Sequence, residues 1–212
     1  MHRRALLRSA LGATLAATLI AAPSTDPSQL GGRPLDVEAL LFDPETPVGG
    51  NPKGDVTIVA FFDYNCGYCR RSMPALERLV REDGGIRLVY KDWPVLAQSS
   101  VTAAQFALAA KYQGKYQAAH KALMSITGPV SVERLEAALK ATDIDRKRLG
   151  TDLKTHIGDI GALLRRNNEQ AEALQLPGTP VFLVGPYKVA AALDYDGFRE
   201  VVEDARNRAA GK

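Results

Sequence analysis

The stretch Val56-Thr57-Ile58-Val59-Ala60-Phe61-Phe62 is an almost unbroken β-branched and aromatic run. It shows no alternation of polar and apolar residues, so it predicts a strand buried on both faces, at the centre of a sheet. The turn formers Pro47-Val48-Gly49-Gly50-Asn51-Pro52-Lys53-Gly54-Asp55 precede it, and Asp63-Tyr64-Asn65 follows. Then comes Cys66-Gly67-Tyr68-Cys69, which holds both cysteines of the 212-residue chain. A central strand that runs straight into a Cys-x-x-Cys motif leaves few folds open.

The motif begins a helical pattern. Met73, Leu76, Leu79 and Val80 recur at helix spacing as far as Arg81, with Pro74 inside and expected to kink the helix. Gly84-Gly85 turns the chain into a second strand over 86–90, closed by Trp93-Pro94. From Ser99 to Leu176 the pattern is helical, punctuated by Gly114, Gly128-Pro129 and Asp143 into four or five helices. Leu176-Pro177-Gly178-Thr179-Pro180 breaks it and leads into a short buried strand over 181–184. An edge strand over 188–193 and a last amphipathic helix over 195–209 complete the order, and Leu35 to Phe42 forms one short helix ahead of it. The fold class is α/β.

Two cysteines at this spacing suit a structural bridge, half of a metal site or a redox dithiol. A bridge constrains the unfolded chain in proportion to the logarithm of the loop it closes, so this tight ring is a poor staple. A closed zinc site wants four Cys or His ligands. Only His2, His120 and His156 are available, far apart in sequence, so no metal site is expected. At a strand-to-helix junction Cys66 falls near the first helical position, where unpaired N–H groups and the helix dipole stabilise a thiolate. The thiolate is the nucleophile of disulfide exchange. Cys69 lies one turn deeper on nearly the same face, within reach of the Cys66 sulfur and shielded from solvent. That asymmetry predicts an attacking cysteine, Cys66, and a resolving one, Cys69, with no cofactor beyond the Cys66-Cys69 disulfide itself.

Compartment and charge agree with this chemistry. Met1-His2-Arg3-Arg4-Ala5-Leu6-Leu7-Arg8 is basic, and Leu11 to Ala22 is apolar or small throughout, ending in Ala21-Ala22-Pro23-Ser24. That is the layout of a cleavable export signal over residues 1–24, too short to span a membrane. The paired arginines also resemble a twin-arginine signal. Without Arg3, Arg4 and Arg8 the chain carries 24 basic and 24 acidic residues, so its net charge points to no nucleic acid and no anionic membrane. The remainder suits a core that needs no disulfide staples. In an oxidising compartment, its cysteine pair is expected to act on the thiols of other proteins.

Phe61-Phe62-Asp63-Tyr64-Asn65-Cys66-Gly67-Tyr68-Cys69 with Pro74, the helical block and Gly178-Thr179-Pro180 resemble the DsbA-like thiol:disulfide oxidoreductases, from about Pro47 to the C-terminus. The resemblance implies a thioredoxin fold with an inserted all-helical domain. Its segments are a tail and short helix over 25–54, a first thioredoxin-fold part over 55–98, the insertion over 99–176 and a second part over 177–212. It implies a cis Pro180 against the Cys66 sulfur, with Thr179 offering backbone groups to a substrate peptide and Tyr68 among the substrate-binding residues. It implies a periplasmic or otherwise exported protein, expected as a monomer, with unfolded or misoxidised proteins as substrates and a membrane redox partner that is DsbB-like or DsbD-like.

The dipeptide Gly67-Tyr68 departs from the Pro-His of strongly oxidising relatives, so no imidazolium lowers the Cys66 pKa, and a milder oxidant is expected. Gly-Tyr and the Thr before proline resemble periplasmic isomerases and reductases instead. The position of thioredoxin's buried acid is taken by Ala60, leaving Asp63, Lys91 or Asp92 to assist through water. Asp63 is also a candidate helix cap. His120 falls with Tyr116, Leu123 and Met124 on one helix face as a packed histidine, and His156 is expected near a helix end. The competing reading is a non-catalytic periplasmic chaperone, or a copper carrier using the same thiolates.

Overall fold

The computed structural model describes residues 35–212; the expected leader and the tail of residues 25–34 lie outside the described residues. The chain runs α1 (Val37–Phe42), β1 (Val48–Gly50), β2 (Val56–Phe62), α2 (Gly67–Asp83) and β3 (Ile86–Asp92). Four helices follow, α3 (Gln98–Ala110), α4 (Tyr116–Met124), α5 (Val132–Lys140) and α6 (Arg146–Ala173), with a 3-10 turn over Lys111–Gln113. Then come β4 (Val181–Val184), β5 (Tyr187–Val189) and α7 (Tyr195–Ala209).

The five strands form one sheet in the order β1-β3-β2-β4-β5. β2 is central: it pairs in parallel with β3 (Val59 opposite Val89) and antiparallel with β4 (Ala60 opposite Phe182). Its side chains are buried on both sides of the sheet, as a run without polar alternation requires. Ile58, Ala60 and Phe62 point toward a core shared with α2, α4 and α7. Val59 and Phe61 point to a smaller core with Leu40, Val89, Trp93 and Ala171, beneath α1 and α6.

Three elements differ from the sequence reading. Val48–Gly50, read as turn, is a strand paired antiparallel with β3. Gly50 has φ +69°, and a Cβ there would come within 2.3 Å of the Ile86 carbonyl, so the glycines that suggest a turn are what admit this close pairing. β3 continues to Asp92, two residues beyond the reading, and β5 stops at Val189. His156 sits within the 28-residue α6, away from its ends, stacked on Tyr112 with ring centroids 3.6 Å apart. Gly84, in the left-handed region at φ +71°, closes α2 by donating its N–H to the Val80 carbonyl. No helix among the described residues is long and apolar enough to cross a membrane.

Candidate active site

Cys66 is the N-cap of α2: its extended backbone (φ −75°, ψ 112°) turns the chain into the helix, and its sulfur accepts the Cys69 N–H at 3.4 Å. A cysteine thus occupies the place usually held by a short oxygen side chain, and a thiolate is the form that caps well. Both cysteines are free thiols. Cys66 is 5% exposed and Cys69 fully buried.

The two sulfurs are driven apart in acidity. The Cys69 thiol donating to the Cys66 sulfur is the largest influence on Cys66; it outweighs burial and, with the Thr179 hydroxyl and the N–H groups of Cys69 and Tyr68, brings the pKa down to about 5. Burial pushes the Cys69 thiol strongly up, reinforced by its donation to Cys66. At neutral pH Cys66 therefore favours the thiolate and Cys69 holds its proton.

The strand-entry segment brings Thr179 to this sulfur. The Thr179–Pro180 peptide is cis, Pro180 is buried, and the Cys66 thiol lies 3.2 Å from the Thr179 carbonyl. That contact is a hydrogen bond only while Cys66 is protonated. The Thr179 hydroxyl, a buried oxygen with no other partner, remains to donate to the thiolate. Cys66, Cys69, Thr179 and Pro180, 113 residues apart in the chain between Cys66 and Thr179, thus meet at one point. Tyr68 projects outward, 61% exposed, with the Arg71 guanidinium 4.5 Å over its ring.

The approach to the motif is fastened by Asp63, Asn65 and Arg70. Asp63 does not cap α2. It is buried, and its carboxylate accepts the N–H groups of Asn65, Val95 and Leu96 and the Ser100 hydroxyl at 2.7–3.0 Å. Asn65 donates to Ser99 and Ser100 and accepts the Val130 N–H. Arg70 donates to the carbonyls of Tyr64 and Gly128. The signal for these ties was an Asp-x-Asn turn directly before the cysteine.

Lys91 lies on the sheet face turned away from the cysteines, in register with Phe61, and donates to Thr46. It cannot serve Cys69. Asp92 faces the cysteine side, where it accepts the Tyr116 hydroxyl at 2.7 Å, and burial pushes its pKa up to about 7. His120 is fully buried with Nδ1 3.0 Å from the Tyr64 hydroxyl, inside a cluster with the rings of Phe62, Tyr90 and Tyr116. Burial lowers its pKa to about 3. Among the described residues no group of three or more His, Cys, Asp or Glu side chains is placed to hold a metal ion.

Comparison with known proteins places this geometry in company. Residues 43–204 match the family model described as thioredoxin. A thioredoxin-like oxidoreductase from Silicibacter pomeroyi superposes with a TM-score of 0.75 at 38% identity, over 81% of this chain and 98% of that one. The thiol-disulfide exchange protein alpha-DsbA2 from Wolbachia pipientis gives 0.74 at 28% identity, over 79% and 90%. The catalytic domain of Proteus mirabilis ScsC gives 0.71 at 27%, over 79% and 93%. The chain spans about a third of the length of the curated relatives it matches: the Na(+)/H(+) antiporter NhaA 1 of Salinispora arenicola is 26% identical over 205 residues, 88% of this chain and 31% of that protein.

Proposed function

This chain belongs to the thioredoxin family as a DsbA-like member with the thiol-disulfide oxidoreductase fold, and from that premise we propose that it is an exported enzyme catalysing disulfide exchange in extracytoplasmic proteins. The observation that carries the reading is the divided acidity of the cysteine pair: a Cys66 sulfur with its pKa near 5 at the mouth, and a buried Cys69 with its pKa raised.

In the reductive or isomerising direction the Cys66 thiolate attacks one sulfur of a substrate disulfide. The Cys66–substrate bond forms, the substrate's S–S bond breaks, and the other substrate sulfur leaves as a thiolate. In reduction Cys69, losing its proton, then attacks Cys66 and releases the second substrate thiolate, leaving the Cys66-Cys69 disulfide; in isomerisation another substrate thiolate attacks the mixed disulfide instead, forming a new substrate disulfide and releasing the Cys66 thiolate. The oxidative direction is the reverse: a substrate thiolate attacks Cys66 of the disulfide, Cys69 leaves and takes up a proton, and a second substrate thiol displaces Cys66. A membrane partner, DsbB-like for reoxidation or DsbD-like for reduction, closes the cycle. The substrates are unfolded or misoxidised proteins, met along Thr179 and Pro180 with Tyr68 at the rim.

A Cys66 pKa of about 5 lies between the extremes of Cys-x-x-Cys thiols, roughly 3.5 and 7.5. A stabilised thiolate favours the reduced form and makes the disulfide oxidising, so an intermediate potential is expected, between about −120 and −270 mV. Equilibration of the purified protein with glutathione buffers measures it directly. Alkylation of the reduced protein by iodoacetamide should titrate with a midpoint near pH 5 and modify Cys66 alone. If the protein neither reduced insulin nor oxidised a reduced model substrate, and instead held stoichiometric copper in glutathione, the enzymatic reading would be wrong and the copper-carrier reading right.

A further inference from the structure

Gly67, Arg70, Pro74, Glu77 and Arg81 recur along one face of α2. It is not the face on which Ser72, Arg78 and Glu82 meet the Leu193–Tyr195 segment. Between it and α4, with the Ser125–Gly128 connection, lies a cavity of about 560 Å³. Its rim begins at Gly67, the residue after Cys66. Met73, Pro74, Met124 and Ile126 give it apolar walls.

His120 stands in its lining with one ring nitrogen spent and one free. Nδ1 is held by Tyr64, whereas Nε2 is buried without a hydrogen-bond partner. The nearest charged atom is Glu77 Oε1 at 3.8 Å, beyond hydrogen-bond reach. A buried polar atom left in this way is costly unless something comes to it.

We propose that this cavity is a subsite for a tyrosine side chain of the polypeptide whose cysteine exchanges with Cys66; it rests on the exchange reading above. The volume lies within the range of about 300–1,000 Å³ typical of ligand pockets. Thioether walls suit an aromatic ring. A phenol oxygen can donate and accept at once, so it bridges His120 Nε2 and the Glu77 carboxyl whichever of the two carries the proton. A charged tip gains little, because Glu77 opposes an anion while Arg81 and Lys121 oppose a cation. Arg70 spends Nε and Nη1 on the Tyr64 and Gly128 carbonyls; its Nη2 is buried without a partner, so binding of the glutamate analogue there would count against a tyrosine subsite.

The test uses the methionine methyl groups as reporters. In reduced protein labelled with methyl-13C methionine, N-acetyltyrosinamide should shift the Met73 and Met124 signals saturably. The phenylalanine analogue, lacking both hydrogen bonds, should bind about five- to a hundredfold more weakly, and the lysine and glutamate analogues should leave both signals in place. Glu77→Ala should shrink the tyrosine-over-phenylalanine difference to about three- to tenfold, the share of the remaining bond to His120, its own methyl spectrum showing that the fold is retained. A cysteine peptide with tyrosine two residues from the cysteine should form the mixed disulfide faster than its alanine counterpart by a similar factor. Equal response to all four amides, or none, overturns the subsite, as does tyrosine binding without acceleration of the tyrosine peptide. Failure of every peptide to exchange overturns the enzymatic reading instead, and the methyl titration tells the two failures apart.

Discussion

Lys91 and Asp92 are neighbours on β3, both buried, and they face opposite sides of the sheet. Burial draws each toward neutrality, the lysine down to about 8 and the acid up to about 7. On the Lys91 side the polar groups are ties between elements: Lys91 reaches Thr46, and Arg166 of α6 holds Asp43 at 2.7 Å, just past α1. On the Asp92 side they cluster, through Tyr116, Tyr64 and His120, beside a reactive sulfur and a cavity. A perturbed pKa is therefore not enough to mark a site. Connection to an atom that can react is what separates the two faces.

The sharpest break between the faces is kinetic. Cys66→Ser should abolish insulin reduction, whereas Lys91→Met should leave its rate within about twofold, because a residue on the far face touches no reacting atom. An equal loss in both would erase the distinction. Next comes stability in urea. Asp92→Leu removes the acceptor of the Tyr116 hydroxyl and should cost about 1–3 kcal/mol, while Asp92→Asn, which keeps an acceptor, should cost less.

The pH dependence sharpens the same contrast. Lys91 has a folded pKa below its unfolded one, so the unfolded chain binds more protons between about pH 8 and 10.5, and stability should rise across that window in the native protein but not in Lys91→Met. Asp92 has the opposite sign: its raised pKa makes the folded state bind more protons, so its contribution falls as pH rises from about 4 to 7. His120, lowered to about 3, contributes stability that is lost on acidification below about 6.5. The two slopes oppose each other, so Asp92→Asn should lose stability more steeply on acidification than the native protein, read by thermal melts between pH 7 and 4. The smallest effect is expected far from both cores. Arg206 bridges Asp55 and Asp83 at 2.7 Å on a half-exposed surface, and Arg206→Ala should cost about 1 kcal/mol or less with exchange unchanged.

Much of the fold was legible where local pattern and burial agree. The β2 run, the helix opened by the cysteines and the breaks at Gly114, Gly128-Pro129 and Asp143 all lie in the sequence as composition and period. β1 was not, because Val48-Gly49-Gly50 becomes a strand only through its pairing with β3, a partner nearly 40 residues on. The site divides in the same way. The spacing puts Cys69 one turn on, within reach of the Cys66 sulfur, whereas the burial that holds the proton on Cys69 comes from the packing around it. For Lys91 and Asp92, alternation says that neighbours on a strand point apart, and only the β2–β3 alignment says which of them lies on the cysteine side of the sheet. The cavity beside α2 was invisible because one wall comes from α4, more than 40 residues away.

Of the four bonds to the Asp63 carboxylate, two come from Val95 and Leu96 in the loop that leads into α3, one from Ser100 within α3 and one from Asn65. Cutting out α3 together with the loop ahead of it would thus leave a buried carboxyl stripped of three of its four donors immediately upstream of Cys66. This entry to the insertion is foundation as much as appendage, and redox proteins built by excising it would have to re-engineer that turn before they inherit the chemistry.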